Sequence, residues 1–266
     1  MPAARLEVVN VSAGYGATRI ITDMSFEVPA GDRLAILGRN GMGKTTLLAT
    51  LMGLSTCHAG KIKIDGADLE DLRTSSRSRL GVGYVPQTRG IFRSLTVEEN
   101  LSAGLKDRSR DALAEAYEMF PRLRERRRHL GMQLSGGEQQ MLSMARTLLG
   151  KPSILLLDEP LEGLAPVICD ELMAMISRLA ACGEVTVILV EQQIERALDF
   201  AGRVLILERG REAWLELSSK LRSNRTLRRS PTRSWYSLSG SRLLLNCHRW
   251  SVTSVMSDVG KVIRKC

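Results

Sequence analysis

The segment Gly38-Arg39-Asn40-Gly41-Met42-Gly43-Lys44-Thr45 constrains this chain more than any other. It fits G-x-x-x-x-G-K-[ST] and joins a short apolar run, residues 33–37, to a helix-like segment over residues 45–54. Glycines at this spacing let the backbone turn tightly, so its N–H groups converge on phosphate oxygens at a helix N-terminus. The lysine of such a loop reaches β- and γ-phosphate oxygens, and the hydroxyl after it ligates Mg²⁺. Lys44 and Thr45 are placed for those tasks, with Thr46 directly behind them. A chance Gly-rich turn accounts for neither the lysine, the hydroxyl nor the flanking elements.

Two further segments fit the same chemistry. Ile154–Leu157 reads as a buried strand, and Asp158 and Glu159 follow at its C-terminal end, where α/β folds bind ligands. Asp158 is the candidate to hold Mg²⁺ through water, and Glu159 the candidate general base for an attacking water. Taken alone, the pair could equally be a solvated acidic turn. In Leu134-Ser135-Gly136-Gly137-Glu138-Gln139-Gln140, a serine and two glycines open a helix. That makes a second helix N-terminus suited to phosphate, or else an ordinary N-cap.

Around these motifs strand-like and helix-like segments alternate, which predicts an α/β fold. Residues 6–11, 25–28, 33–37, 61–64, 82–85, 154–157, 185–190 and 204–207 read as strands; the fourth closes on Asp65-Gly66 as an edge hairpin would. From about 88 to 150 the pattern turns helical (97–105, 111–120, 136–149), broken by Pro121 and the basic stretch that follows it. A helical subdomain inserted between strands is the expectation. Val167, Ile168, Leu172, Met175, Ile176 and Leu179 recur at helical spacing, the Met and Cys residues of this segment reading as core filling, and residues 194–201 read as a last helix.

Lys and Arg total 38 against 29 Asp and Glu, a net charge of +9. Residues 211–266 hold 12 basic and 3 acidic side chains, so the first 210 residues are neutral. The basicity belongs to the tail and does not argue for nucleic acid as a partner. No stretch approaches the roughly 18 apolar residues of a membrane span, and the N-terminus has no apolar signal core. Five cysteines without metal-ligand spacing read as reduced thiols, mostly buried, in a cytoplasmic protein.

Residues 134–140 resemble the LSGGQ-like signature of the ABC transporter ATPases, which other P-loop families lack. The resemblance implies a P-loop NTPase core with an antiparallel β subdomain and an inserted helical subdomain, binding ATP and Mg²⁺. It further implies two ATP-binding subunits packed head to tail. Ser135, Gly136, Gly137 and Glu138 of one would cover ATP held by Gly38, Arg39, Asn40, Gly41, Met42, Gly43, Lys44, Thr45 and Thr46 of the other. Tyr15, in Ala13-Gly14-Tyr15-Gly16, falls where the family stacks an aromatic on adenine, and Gln87, after Tyr84-Val85-Pro86, where a glutamine senses Mg²⁺. Thr45, Gln87 and Asp158 would be the metal ligands, and Glu159, Gln87 and Gln192 the catalytic set.

Two positions depart from the general pattern. Gln192 stands where a switch histidine is usual, and Ala165 where an aspartate is common. Glutamine can hydrogen-bond a γ-phosphate or water but cannot carry positive charge. Leu-Val-Glu-Gln, Glu-Gly-Leu-Ala-Pro and Gly-Ile-Phe-Arg-Ser-Leu-Thr-Val-Glu-Glu-Asn-Leu resemble the shorter ATPase subunit of branched-chain amino acid importers. The implied place is the cytoplasmic face of the inner membrane, with permease subunits and, indirectly, a substrate-binding protein. Importers of urea or short amides are the near alternative, and an exporter ATPase a further one. A soluble ABC protein fits less well, since those usually carry two cassettes or a long coiled-coil insertion. The likeness covers residues 5–227, and the domain is taken as 1–227. Residues 228–266, a basic extension, match nothing in the family. The leading expectation for them is an unstructured, idle extension; loose attachment to anionic lipid and a folded regulatory module are the alternatives.

Overall fold

A computed structural model describes residues 2–219, and the expected extension over 228–266 lies outside the described residues. The strands are β1 (Leu6–Tyr15), β2 (Thr18–Val28), β3 (Arg33–Leu37), β4 (Thr56–Ile64), β5 (Ala67–Asp68), β6 (Val82–Val85), β7 (Ile154–Asp158), β8 (Thr186–Val190), β9 (Arg203–Glu208) and β10 (Arg211–Leu217). The helices are α1 (Lys44–Met52), α2 (Thr74–Arg79), α3 (Val97–Ser102), α4 (Leu113–Met119), α5 (Pro121–Glu125), α6 (Gly136–Leu149), α7 (Pro166–Ala181) and α8 (Ile194–Phe200).

Two sheets form. One is antiparallel, in the order β2-β1-β4-β5; the other has six strands in the order β10-β9-β3-β8-β7-β6, parallel except for the β9–β10 hairpin. Because strand side chains alternate, the central strands divide their apolar residues between two faces. Leu34, Ile36, Leu156, Ile188 and Leu205 pack with Leu47 and Leu48 of α1 and with the antiparallel sheet. Ala35, Leu37, Leu155, Leu157, Leu189 and Ile206 pack on the other face, with helices α3 to α8. The helical insertion, α3 to α6, lies between β6 and β7 and shares that second core.

Several expectations change. β1 runs on to Tyr15 rather than stopping at Val11, its register shifting between Val8 and Gly14, which hid the alternation. Pro121 does not merely break a helix: it occupies the first position of α5, where a missing N–H costs nothing. The helix expected over 97–105 ends at Ser102, and that over 111–120 begins as a 3₁₀ turn, Arg110–Ala112. β10 is an addition to the expected strands. Its charged residues and exposed or half-exposed side chains suit an edge strand, and a register shift between Glu212 and Trp214 breaks the period. Val167, at the start of the helical repeat, is 65% exposed. Of the cysteines described, Cys169 is buried, Cys57 half-buried and Cys182 exposed at the end of α7.

Candidate active site

The phosphate loop is framed by three strand ends. Gly38 follows β3, and a Cβ there would meet the Leu207 carbonyl of β9 at 2.6 Å. The β9–β10 turn closes over the loop, with Gly210 N–H donating to the Met42 carbonyl at 3.0 Å. The strand that sequence reasoning missed therefore shores up Met42. Gly43 precedes α1 at φ +100° and a Cβ on it would meet Ile21 Cδ1 at 2.8 Å, so position and space both require glycine. No side chain caps α1, and no acid lies in its first turn. The first N–H groups of such a helix lack intrahelical partners and attract an anion.

Lys44 is nearly inaccessible, 4% exposed, and folds back over the loop. Its ammonium donates to the carbonyls of Gly38 at 2.8 Å and Arg39 at 3.2 Å, and lies 3.4 Å from Glu159 Oε1. Thr45 Oγ1 donates to Asp158 Oδ1 at 3.2 Å, and Tyr84 Oη to Asp158 Oδ2 at 3.2 Å. Burial pushes the Asp158 carboxyl up and is opposed by these two hydrogen bonds. Burial, then Asp158, raises the Tyr84 phenol, so Tyr84 remains a donor. Tyr84 was visible in sequence only as a neighbour of Gln87; a hydroxyl on β6 facing the end of β7 is a matter of strand order.

Glu159 adopts φ +47°, an uncommon region for a residue with a side chain. Its Oε2 accepts from Gln192 Nε2 at 2.5 Å and, more weakly, from Gln87 Nε2 at 3.5 Å. Gln87 also donates to Glu162 at 2.5 Å. The structure thus assembles Lys44, Thr45, Asp158, Glu159, Gln87 and Gln192 around one point at the C-terminal ends of β3, β6, β7 and β8. Tyr15, at the end of β1, is 48% exposed.

The segment 135–138 lies elsewhere. Ser135 Oγ accepts from Glu138 N–H at 3.3 Å, and Glu138 Oε2 accepts from Ser135 N–H at 2.8 Å, a reciprocal cap on α6. Burial pushes the Glu138 carboxyl up, but the Ser135 hydrogen bonds and nearby Arg126 and Arg122 outweigh it and hold the carboxyl below its usual range. A Cβ on Gly136 would meet the Arg89 guanidinium at 3.2 Å, and one on Gly137 would meet Ile168 at 3.1 Å. Helix α6 is also tied to the Gln87 loop: Arg89 Nη1 donates to Gln139 at 3.3 Å, Ser143 Oγ to the Arg89 carbonyl, and Arg146 Nη2 to the Gly90 carbonyl at 2.7 Å. These three hydrogen bonds tie α6 to Arg89 and Gly90, two and three residues after Gln87.

Thr45 and Asp158 offer a hydroxyl and a carboxylate within hydrogen-bond distance of each other. Among the described residues no group of three or more His, Cys, Asp or Glu is placed to hold a metal ion. A sparse oxygen donor set of this kind suits Mg²⁺, which keeps waters and phosphate oxygens among its ligands, rather than a metal needing an all-protein cage.

A family model described as ABC transporter matches residues 21–162. The chain is 41% identical over 222 residues to the high-affinity branched-chain amino acid transport ATP-binding protein BraG of Pseudomonas aeruginosa, covering 82% of this chain and 95% of that protein. It is 36% identical over 220 residues to the probable branched-chain amino acid transport ATP-binding protein LivF of Archaeoglobus fulgidus, covering 81% and 93%. Among solved structures it is similar to a bacterial ABC transporter cassette determined as a dimer, with TM-score 0.73 and 25% identity over 80% of this chain and 98% of that one.

Proposed function

The chain belongs to the ABC transporter family of ATP-binding proteins, and on that premise we propose that it energises import of branched-chain, hydrophobic amino acids. It is an ATPase, and its cassette binds nucleotide. The observation that carries the site reading is Glu159, held between Lys44 and Gln192 beside the uncapped start of α1.

In this reading backbone N–H groups of residues 38–46 receive the phosphates, and Lys44 exchanges the Gly38 and Arg39 carbonyls for β- and γ-phosphate oxygens. Glu159 accepts the proton of the water that attacks the γ-phosphate, and Gln192 orients that water or the γ-phosphate. Gln192 does so as a neutral donor, so no imidazolium takes part. Thr45, Asp158 and Gln87 hold Mg²⁺, which when bound neutralises charge on the β- and γ-phosphates. Tyr15 stacks on adenine. Ser135, Gly136, Gly137 and Glu138 face the nucleotide of a second ATP-binding subunit packed head to tail, and α6 relays that engagement to Gln87.

No helix among the described residues is long and apolar enough to cross a membrane. We place the subunit peripherally, on the cytoplasmic face of the inner membrane against permease subunits, with a substrate-binding protein supplying the amino acid. Reconstituting the transporter in vesicles and measuring ATP-dependent uptake of leucine, isoleucine, valine and urea tests the substrate. Uptake of the three amino acids without urea is expected; uptake of urea alone would reassign it. Cross-linking of cysteines placed at Ser135 and in the neighbour's phosphate loop, dependent on ATP, tests the head-to-tail contact.

A further inference from the structure

Glu191 follows β8 and is 3% exposed. Its Oε2 accepts from the backbone N–H of Gln192 at 3.0 Å and of Gln193 at 3.3 Å. Gln192 is in turn the residue bonded to Glu159. One buried carboxyl therefore clasps the turn that carries the partner of the base. Backbone bonds complete the clasp: Glu159 N–H donates to the Val190 carbonyl at 3.0 Å, and Glu191 N–H to the Ile36 carbonyl at 3.4 Å.

Serine, asparagine or glutamine can cap such N–H groups without burying a charge. Glu191 Oε1 is buried without a hydrogen-bond partner, a costly arrangement in a protein interior. Burial, and to a lesser degree Glu159, raise this carboxyl above its usual range. Costs of this kind persist where they serve a site.

We propose that Glu191 is a positioning residue for ATP hydrolysis, fixing the Gln192 turn so that the Gln192 amide stays against Glu159. It acts through Gln192 and touches no reacting atom. The inference rests on the roles of Glu159 and Gln192 given above.

The test compares Glu191→Ala, Glu191→Gln, Gln192→Ala, the double variant Glu191→Ala/Gln192→Ala and Glu159→Gln in the full chain, by steady-state ATP hydrolysis and amide hydrogen exchange. Glu191→Ala is expected to lower kcat about 10- to 100-fold with KM for ATP within about twofold, since geometry and not ground-state binding is lost. Exchange at Gln192 and Gln193 should quicken. Glu191→Gln, whose amide oxygen still accepts, should recover most of kcat. In the Gln192→Ala background, Glu191→Ala should add little. A Glu191→Ala protein that melts lower but keeps its kcat, or a loss that adds in full to that of Gln192→Ala, would overturn the proposal. Normal turnover by Glu159→Gln would instead overturn the site reading itself. If Glu191→Ala does not fold, a Glu191→Gln protein with wild-type exchange but kcat as low as Gln192→Ala would also refute it, because the clasp would then be intact without effect.

Discussion

Helices α1 and α6 both present N-termini suited to phosphate, yet they are built in opposite ways. α1 starts behind a left-handed glycine, with no capping side chain and no first-turn acid, and its lysine is folded onto two loop carbonyls. α6 starts behind Ser135 with a complete reciprocal cap, and Glu138 is further paired with Arg126 at 3.5 Å. The first is electrically incomplete by itself; the second is satisfied in the isolated chain. An open helix end binds an anion strongly because nothing must be displaced. A capped one still exposes two glycine N–H groups and a serine hydroxyl proton, but contributes only when a partner brings the ligand to it. On the proposed head-to-tail pairing, the difference would separate a resident nucleotide site from a conditional one.

The comparison breaks most sharply at Lys44 and Glu159. Lys44→Ala should abolish measurable turnover, a loss on the order of 10²–10³-fold or more, and weaken ATP binding as well. Glu159→Gln should stop turnover to a similar extent while ATP stays bound, trapping nucleotide that equilibrium dialysis detects. Retention of ATP by Lys44→Ala at wild-type affinity would mean that the open end of α1 is not the resident site.

The far end of α1 yields the next largest effect, on stability. Arg77, 3% exposed, donates to the carbonyls of Thr50 at 2.6 Å, Leu51 at 3.0 Å, Leu72 at 3.0 Å and Glu70 at 3.3 Å, closing the C-terminus that Gly53 ends. Arg77→Ala leaves buried carbonyls without donors and should cost about 3 kcal/mol, a fall in Tm of roughly 6–12 °C. A calorimetric Tm within about 2 °C of wild type would remove this half of the contrast.

How much of this could be read from residues alone follows the same division. The loop 38–45, the strand ending in Asp158 and Glu159, and the start of α6 at Gly136 are local patterns, in which a few adjacent residues carry the geometry. The grouping of Gln87, Glu159 and Gln192 depends on β6, β7 and β8 lying side by side, and only the family resemblance suggested it. Tyr84, Arg77, Glu191 and the Gly210 turn went unread. Each acts across the fold through a hydroxyl, guanidinium, carboxyl or backbone group whose partner is distant in sequence. β10 was missed for another reason: an edge strand with one shifted register loses the alternation that identifies strands.

Ser135 tests the conditional end. Ser135→Ala removes one half of the cap and should destabilise the chain by about 1 kcal/mol, or roughly 2–4 °C in Tm. ATP affinity of the isolated chain should not change, because α1 of the same chain holds that nucleotide. Turnover should fall about tenfold or more only where two subunits pair, since in the proposed pairing the missing hydroxyl would face the neighbour's nucleotide. A drop in ATP affinity of the monomer would place both helix ends on one nucleotide and erase the distinction.

Glu138 gives the smallest and most selective effect. Its carboxyl is held below the usual range in the folded chain, so its stabilisation is present above the unfolded pKa and is lost as pH falls through the folded pKa. Glu138→Gln keeps an acceptor for Ser135 N–H but removes the charge that faces Arg126 and Arg122. At neutral pH the variant should therefore melt slightly below wild type. The two melting curves should converge as pH is lowered through the acid range, because wild type surrenders there what the variant never had. A gap that widens towards acid would show that the Glu138 charge opposes the fold, leaving the cap on α6 to Ser135 alone.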